Sequence, residues 1–402
     1  MAFASIGPIT DLHIVNSPIS PDGFLRDAVV AEGTFPGPII KGKKGRDSPV
    51  SIASHADQYH ANSLTFFSAF NSTLINGLGR SVNGTKSPLA VVSVMHGKRY
   101  RFRLLNMACD PNYNFTIDGH SMTIIEADGV SVKPYVVDSI QIYASQRYSF
   151  VLNANQTTSN YWIRAVPNSG AQVFDGGINS AILRYAGAAN AEPKTPSTPS
   201  VRPMLETNLH PLEAKPAPGA AEPGAVDIQL ELNVTLTDDQ TRFAINGATF
   251  MPPPVPVLLQ LLSGAKQAAK IVPSGSIYKL PRGKTVELNI PGGVVGGGHP
   301  IHVHGHNFAV VRSAGSDVVN YETPVWRDTF NMGSTASDNA TIRFVTDNTG
   351  PWFLHCHIDW HLQGGFAVVL AEDIPNVRTV DQPTQAWKDF CPAYNRSQSN
   401  QH

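Results

Sequence analysis

Charge of either sign is scarce and evenly spread in this sequence. Charged residues make up 15% of the 402 residues, with 30 Lys and Arg against 31 Asp and Glu, for a formal net charge of −1. Proteins that bind nucleic acid concentrate basic residues on one face or in runs. The basic residues here form no such cluster, so we predict no nucleic-acid partner.

Long apolar segments are also missing. No run approaches the ~18 apolar residues of a membrane-spanning helix, so no membrane partner is predicted. The start, MAFASIGPIT, lacks the charged and long apolar regions of a signal peptide, although AFA resembles the small-residue end of a cleavage site. Seven Asn-x-Ser/Thr motifs nevertheless favour secretion and glycosylation, at Asn71, Asn83, Asn114, Asn155, Asn233, Asn339 and Asn395.

Cysteine is the third scarce residue, with 3 in the chain, at Cys109, Cys356 and Cys391. In a secreted protein an odd number leaves at least one thiol outside a disulfide. Apolar residues, by contrast, amount to 42%. That is enough for buried cores, and the length indicates two or three domains.

Short segments that alternate apolar and polar residues dominate the chain and predict β-strands. In RYRFRLL, Tyr100, Phe102 and Leu104 fall on one face and arginines on the other. Similar segments, bounded by turn-forming residues, are residues 147–152, 160–166, 227–236, 285–290 and 340–345. Helical patterns are few, namely VPVLLQLLSGA and QPTQAWKDF. Many short strands with turn signals favour β-sandwiches or β-barrels.

Residues 186–226 are rich in Ala, Pro, Thr and Glu. They predict an extended connection, because proline suppresses regular structure. We place a domain boundary within this stretch. The front of the chain contains strand-like segments but too little sequence for a domain of its own, since domains below ~40–50 residues seldom build a core. The predicted division is 1–55, 56–200 and 201–402.

Histidine is concentrated in two short segments in the last third of the chain. They read HPIHVHGHNFAVV, residues 299–311, and GPWFLHCHIDWHLQGGF, residues 350–366. Alternate side chains of an extended segment share one face. The second segment therefore places Cys356 on the face opposite His355 and His357. One short strand is thus predicted to serve two metal sites, one on each face.

The remaining histidines supply partners for both faces. On the face of Cys356 we expect His299 and also His361, which follows a turn. Four histidines are expected to gather on the opposite face, namely His302, His304, His355 and His357. The backbone bonds through Cys356 would connect the two sites over a short distance. His306 is expected to be a packing residue rather than a ligand.

The ligand types indicate the metal. Two histidines and one thiolate in a trigonal set are typical of a blue-copper electron-transfer site, whose axial residue tunes the potential. Phe366 follows His361 by five positions and cannot ligate. An apolar axial neighbour should favour copper(I) and raise the potential. The alternatives are structural zinc, or histidines buried in a β core.

These two segments resemble the third and fourth copper-binding segments of multicopper oxidases, and in particular those of fungal laccases. IGPITDLHIVNSPISPDGFLRDAVVAEGTFPGPII resembles the laccase amino terminus. LINGLGR, GKRYRFRLLNMACDPNYNFTIDGH and NYWIRAVPNSG resemble its middle domain. The resemblance covers nearly the whole chain. It implies an all-β fold of cupredoxin-like domains, Greek-key barrels or sandwiches, with two complete domains and residues 1–55 as a remnant of the first.

The resemblance also implies an activity and a cofactor. The activity is one-electron oxidation of phenols and aromatic amines coupled to reduction of O2 to water, and the cofactor is copper. His299, Cys356 and His361 would hold the type-1 copper, with Ile358 and Phe366 as its apolar axial neighbours. We expect an extracellular monomer, and lignin fragments, pigments and small phenols all fit as substrates.

Further roles follow from the same resemblance. His302 would ligate the type-2 copper, and His304, His355 and His357 would ligate the type-3 pair. Asp110, in CDPNY, matches the carboxylate that accepts a proton or hydrogen bond from the phenol. The alternative for Asp110 is a turn residue before proline.

Two earlier laccase segments, of the forms H-W-H-G and H-S-H, are not found in this chain. The resemblance breaks off after GPIIKGKKG and resumes near ADQYH, so roughly a hundred residues are expected to be absent, about one domain at the usual size. Those segments supply half of the trinuclear ligands. The spacing of His55, His60 and His96 does not match them. The family's disulfide partners of Cys109 and Cys391 would lie in the same absent part.

The sequence therefore leaves three functions open. The first is a laccase-type oxidase. The second is a truncated copper-binding or electron-transfer protein, with an intact type-1 site, an incomplete trinuclear cluster and little or no oxidase turnover. The third is a structural zinc domain. Ligand number matters here, because metal ions with open coordination are bound weakly.

Overall fold

The structure is a computed structural model that describes residues 5–6, 13–35, 37, 39–40, 48–56, 70–263, 275–382 and 385. Strands dominate, as predicted. The α-helices are Val257–Leu262, Asp359–Gln363 and Val377–Val380. The 3₁₀ turns are Asp175–Gly177, Glu206–Asn208 and Ile374–Asn376. None of the helices in these ranges is long and apolar enough to cross a membrane.

The first half of the described chain is built on two sheets. The seven-stranded sheet has the order Val130–Val137, Met122–Ala127, Arg147–Asn153, Arg99–Asn106, Ser48–Ala56, Phe70–Ile75 and Leu78–Ser81. The five-stranded sheet has the order Ser139–Ile142, Tyr113–Ile117, Asn160–Pro167, Ser180–Tyr185 and Val91–Val94. Phe102, Phe115 and Phe150 are fully buried between these elements, as the alternating pattern requires.

The second half contains two more five-stranded sheets. One has the order Ile228–Glu231, Thr285–Pro291, Asn339–Val345, Phe308–Arg312 and Val325–Arg327. The other has the order Ile277–Leu280, Ala367–Glu372, Gly350–Cys356, Pro300–Val303 and Thr329–Asn331. This last sheet carries both histidine-rich segments, so its register decides which of their side chains meet.

Three two-stranded sheets complete the strands. They pair Ser5–Ile6 with Ile39–Ile40, Ile14–Ile19 with Arg26–Ala31, and Val234–Leu236 with Phe243–Ile245. The predicted single strand 227–236 is therefore wrong in part, because the chain changes sheet near Leu232, whose N–H donates to the Asn289 carbonyl at 2.9 Å. The helix predicted in VPVLLQLLSGA is confirmed as Val257–Leu262. QPTQAWKDF lies almost wholly outside the described residues.

The predicted connection 186–226 has little regular structure and lies along the sheets. Isolated bridges tie Pro203 to Ser139 and Pro211 to Val132. The strand Ser48–Ala56 spans the predicted boundary at residue 55 and pairs with Arg99–Asn106. The division into 1–55, 56–200 and 201–402 stays a prediction.

Two ion pairs, one buried and one partly exposed, join the two halves of the chain. Arg327 and Asp128 are both completely buried, with Nε of Arg327 2.9 Å from a carboxylate oxygen of Asp128. The Arg147 guanidinium donates two hydrogen bonds to the Asp328 carboxylate, each 2.6 Å long. A charge removed from water, as in the Arg327–Asp128 pair, needs a partner with good geometry, so this pair in particular fixes how the two halves meet.

Replacing Asp128 with Asn should lower the free energy of unfolding by up to about 3–5 kcal/mol, because the buried Arg327 guanidinium loses the carboxylate at its Nε and keeps only that of Glu206 among the described residues. Urea denaturation followed by fluorescence measures this change. The matched control is Asp317→Asn, because the Asp317 side chain is fully exposed in its ion pair with Arg312 and should matter little. A loss below about 1 kcal/mol for Asp128→Asn, the range of exposed pairs, would contradict the expectation.

Candidate metal centre

Two neighbouring antiparallel strands position the histidine-rich segments. In the register of Pro300–Val303 and Gly350–Cys356, Ile301 lies opposite Cys356 and His302 lies opposite His355. Side chains alternate between the faces of a strand. His302 and His355 therefore share one face of the sheet, and Cys356 projects from the other.

On the Cys356 face, one sulfur and two imidazole nitrogens converge. The Cys356 Sγ atom is 3.7 Å from Nδ1 of His299 and 3.6 Å from Nδ1 of His361. The two Nδ1 atoms are 3.0 Å apart. Among the residues that the structure describes, this trio is the group of His, Cys and acidic side chains close enough together to hold a metal ion.

The distances from the sulfur to the two nitrogens suit a single metal ion. An ion about 2.0 Å from each nitrogen and about 2.3 Å from sulfur, at trigonal angles, separates sulfur from nitrogen by about 3.7 Å. The observed separations of 3.6 and 3.7 Å match that geometry. The donor set, two imidazoles and a thiolate, is the one that copper uses in electron-transfer sites.

Burial determines the protonation states of the three groups. His299, Cys356 and His361 are each exposed by no more than 1%. Burial lowers the pKa of His299 to about 4 and lowers the pKa of His361 strongly, so both rings are neutral near pH 7. Burial also raises the pKa of the Cys356 thiol far above its usual value. A metal must therefore displace the thiol proton when it binds.

The shell around these ligands is apolar and aromatic. Ile358 and Phe366 are exposed by 3% and 1%, and the Phe366 ring centroid lies 5.4 Å from that of His299. Phe243 was not identified from the sequence, yet its ring lies 4.8 Å from the His361 ring and stacks on Phe366 at 5.1 Å. It comes from a three-residue strand far away in sequence, where one aromatic residue gives no signal of its role.

The opposite face gathers the four predicted histidines. Nε2 of His304 is 3.1 Å from Nε2 of His355. The His302 ring centroid lies 4.8, 5.8 and 5.9 Å from those of His304, His355 and His357. Nδ1 of His357 is buried and has no hydrogen-bond partner among the described residues, which suits a group awaiting a ligand. A cavity of about 290 Å³, lined in part by Arg147 and His357, opens beside them.

Hydrogen bonds to the backbone orient two of these rings. Nδ1 of His302 donates to the Asp328 carbonyl at 2.8 Å, and Nδ1 of His355 donates to the Cys356 carbonyl at 2.9 Å. In each ring Nε2 is then the nitrogen that can accept a hydrogen bond or bind a metal ion. The Asp328 carboxylate is itself held by Arg147. Arg147, which comes from the first half of the chain, therefore supports the face of the sheet that carries the four histidines.

The other predicted residues lie outside these two clusters. Nε2 of His306 bonds a carboxylate oxygen of buried Glu372 at 2.8 Å, which agrees with a packing role. His96 lies against Tyr185, with ring centroids 6.4 Å apart. His55 falls in the described strand Ser48–Ala56. His60 and Cys391 lie outside the described residues.

Asp110 lies beside the helix that carries His361. The Cys109 carbonyl accepts a hydrogen bond of 3.1 Å from the N–H of Asp359, the first residue of that helix. Burial raises the pKa of the Asp110 carboxyl to about 6. Burial, with Asp359 alongside, raises the pKa of the Cys109 thiol to about 12, and Cys109 is not in a disulfide among the described residues.

The fold and this centre define a copper protein of the multidomain cupredoxin class, and comparisons with known proteins agree. Two family models described as multicopper oxidase match residues 47–188 and 250–376. The chain belongs to the multicopper oxidase family, whose cofactor is copper.

Its relatives include fungal laccases. Laccase-2 of Trametes villosa is 44% identical over 504 positions, covering 100% of this chain and 97% of the relative. Laccase-1 of Pleurotus ostreatus is 57% identical over 350 positions, covering 87% of this chain and 65% of the relative. The first alignment spans 504 positions against the 402 residues of this chain, so about a hundred residues of the relative have no counterpart here.

Solved structures show the same fold. The crystal structure of the laccase from Botrytis aclada superposes with a TM-score of 0.81 at 21% identity, covering 98% of this chain and 92% of that one. A multicopper oxidase that functions in iron import superposes with a TM-score of 0.75 at 22% identity, covering 89% and 73%. The predicted all-β, cupredoxin-like fold class is confirmed.

Copper binding at the Cys356 face should release one proton. The two imidazoles are neutral near pH 7 and the thiol is protonated there, so the dissociation constant should fall about tenfold per unit rise in pH around pH 7. Copper titration followed by thiolate-to-copper absorption measures the slope. Cys109→Ser is the control and should keep the slope, since that thiol is not in the trio. A dissociation constant independent of pH would show that the thiol is not a ligand.

Proposed function

We propose that this chain is a laccase-like oxidase that removes single electrons from phenols and aromatic amines and uses O2 as the final acceptor. The observation that carries the proposal is the convergence of His299, Cys356 and His361. We assign these three residues to a type-1 copper, with Ile358 and Phe366 as its apolar neighbours. The laccase relatives support the oxidase activity.

A copper ion held there would accept one electron at a time at a high potential, because the neighbours that could tune it are apolar. The residues of the chain exclude water from the site and connect its two faces. Burial of His299, Cys356 and His361 excludes water from the ligands. Cys356 is bonded through the backbone to His355 and His357, so the two metal faces are joined by covalent bonds.

Substrate oxidation also requires proton removal. A phenol that loses one electron becomes a strong acid, and its proton must pass to a base. Asp110 lies beside the His361 helix, and its pKa of about 6 leaves the carboxylate available above that pH. Four phenols lose four electrons and four protons in all, and O2 takes up four of each to give two water molecules.

We assign the opposite face to the reduction of O2. His302 would hold a type-2 copper, and His304, His355 and His357 would hold a type-3 pair. These are half of the ligands of the family's cluster. The close approach of His304 and His355, 3.1 Å between Nε2 atoms, and the adjoining cavity beside His357 support metal and O2 access at this face.

We also propose that the protein acts outside the cell as a glycosylated monomer, with lignin fragments among its phenolic substrates. The glycosylation motifs at Asn83, Asn155 and Asn233 are exposed, which supports modification in a secretory pathway.

Purified protein loaded with copper should show an intense thiolate-to-copper absorption band and should consume O2 when a methoxyphenol is added, with water as the product. Cys356→Ser should lose both the band and the O2 uptake, because the sulfur ligand is removed. Cys109→Ser serves as the control. A band without O2 uptake would identify an electron-transfer protein instead, and a colourless protein that binds only zinc would identify a structural site.

Asp110→Asn should lower kcat/KM for a phenol by about 10²- to 10⁴-fold, the usual contribution of a positioned base. In the unsubstituted protein kcat/KM should rise as pH rises through about 6, because Asp110 ionises there, and the variant should lose that rise. Ferrocyanide gives up an electron without a proton, so its oxidation should not change. If both reductants are affected equally, or if Asp317→Asn behaves alike, Asp110 is not the base.

A further inference from the structure

A glycine-rich loop lies over the edges of the two imidazole ligands. The segment is GGVVGGG, residues 292–298, and it leads directly into His299. At Gly296 a Cβ atom would lie 2.9 Å from Cε1 of His361 and 3.1 Å from Cε1 of His299. Protein interiors are close-packed and tolerate almost no such overlap. The backbone of Gly296 therefore touches both rings, and a larger residue does not fit without displacing one of them.

The loop is packed tightly at both ends, so it cannot easily move away from the imidazole rings. At Gly292 a Cβ atom would lie 2.7 Å from Cβ of Asp338, and at Gly298 it would lie 2.6 Å from Cε1 of Tyr143. Tyr143 is itself fixed by a hydrogen bond of 3.1 Å from Asn331. Both ends of the loop thus pack closely against neighbouring side chains. Gly296, between these ends, packs against the two imidazole rings.

The same loop orients His299. Nε2 of His299 lies 3.4 Å from the carbonyl oxygen of Val294, while Nδ1 faces Cys356 and His361. A backbone carbonyl that engages one ring nitrogen leaves the other for the metal. The loop therefore acts on His299 twice, through this carbonyl and through the contact at Gly296.

We propose that Gly296 is a positioning residue of the copper site, and that its missing side chain sets the separation of the His299 and His361 rings. This inference rests on the proposed assignment of copper to His299, Cys356 and His361. The loop contacts both imidazole ligands, at Gly296 and through the Val294 carbonyl. Its backbone holds the rings so that both nitrogens and the sulfur point to one place.

The test compares two alanine variants. Gly296 and Gly297 both have positive φ, +118° and +84°, a region that alanine avoids, so both substitutions strain the backbone. Only Gly296 touches the ligands, because a Cβ at Gly297 meets nothing closer than Asn168 at 3.8 Å. Gly297→Ala is therefore a matched control that carries the strain without the contact.

Gly296→Ala should shift the thiolate-to-copper absorption band and raise the copper dissociation constant about tenfold or more, as loss of ligand support does at other metal sites. Gly297→Ala should leave both unchanged, although both variants lose thermal stability. Equal effects in the two variants, or none in Gly296→Ala, would overturn the inference while the band of the unsubstituted protein still upholds the proposed function. An unsubstituted protein without the band would overturn both.

A second measurement needs no variant and so does not depend on whether Gly296→Ala folds. In the copper(I) protein, which is diamagnetic, a strong nuclear Overhauser contact is expected between Hα of Gly296 and Hε1 of His361. Absence of that contact, with the His361 resonance assigned, would mean that the loop does not touch the ring and would overturn the inference.

Discussion

The alternation of side chains along one strand is the constraint on which the rest of this structure depends. Gly350–Cys356 is paired on both sides, with Ala367–Glu372 and with Pro300–Val303. A shift of one residue in that register would exchange the two faces. Cys356 would then point toward His302 and His304, while His355 and His357 would turn to the other face, and neither metal site could form. The fully buried residues on either side of the strand make such a shift costly, because every apolar side chain would change place as well.

The two faces differ in their surroundings, and the difference suits different chemistry. Around Cys356, aromatic and aliphatic side chains exclude water and lower the histidine pKa values. A dry site with fixed ligands changes little in geometry when an electron arrives. The four-histidine face adjoins a cavity and the Arg147–Asp328 ion pair. The cavity borders His357, which suits the proposed reduction of O2 at that face.

Much of the site could be predicted because its ligands occur in two compact segments. A period of two residues was enough to separate His355 and His357 from Cys356 and to pair each with its partners. Contacts between distant segments could not be predicted in this way. Phe243 and Arg147 reach the metal faces from other strands, and nothing in their local sequence marks them. The strand predicted at 227–236 failed for a similar reason, since its alternation continues while the backbone moves to a different sheet.

The two faces also depend differently on the rest of the chain. All three ligands of the Cys356 face lie between residues 299 and 361, and their support comes mainly from the same half of the protein. The four-histidine face is braced by Arg147 from the other half, and the relatives that align over the whole chain carry a long additional segment. The thiolate site is therefore locally complete. The opposite face joins separate parts of the molecule, so changes elsewhere in the chain should affect the proposed reduction of O2 more than they affect the thiolate site.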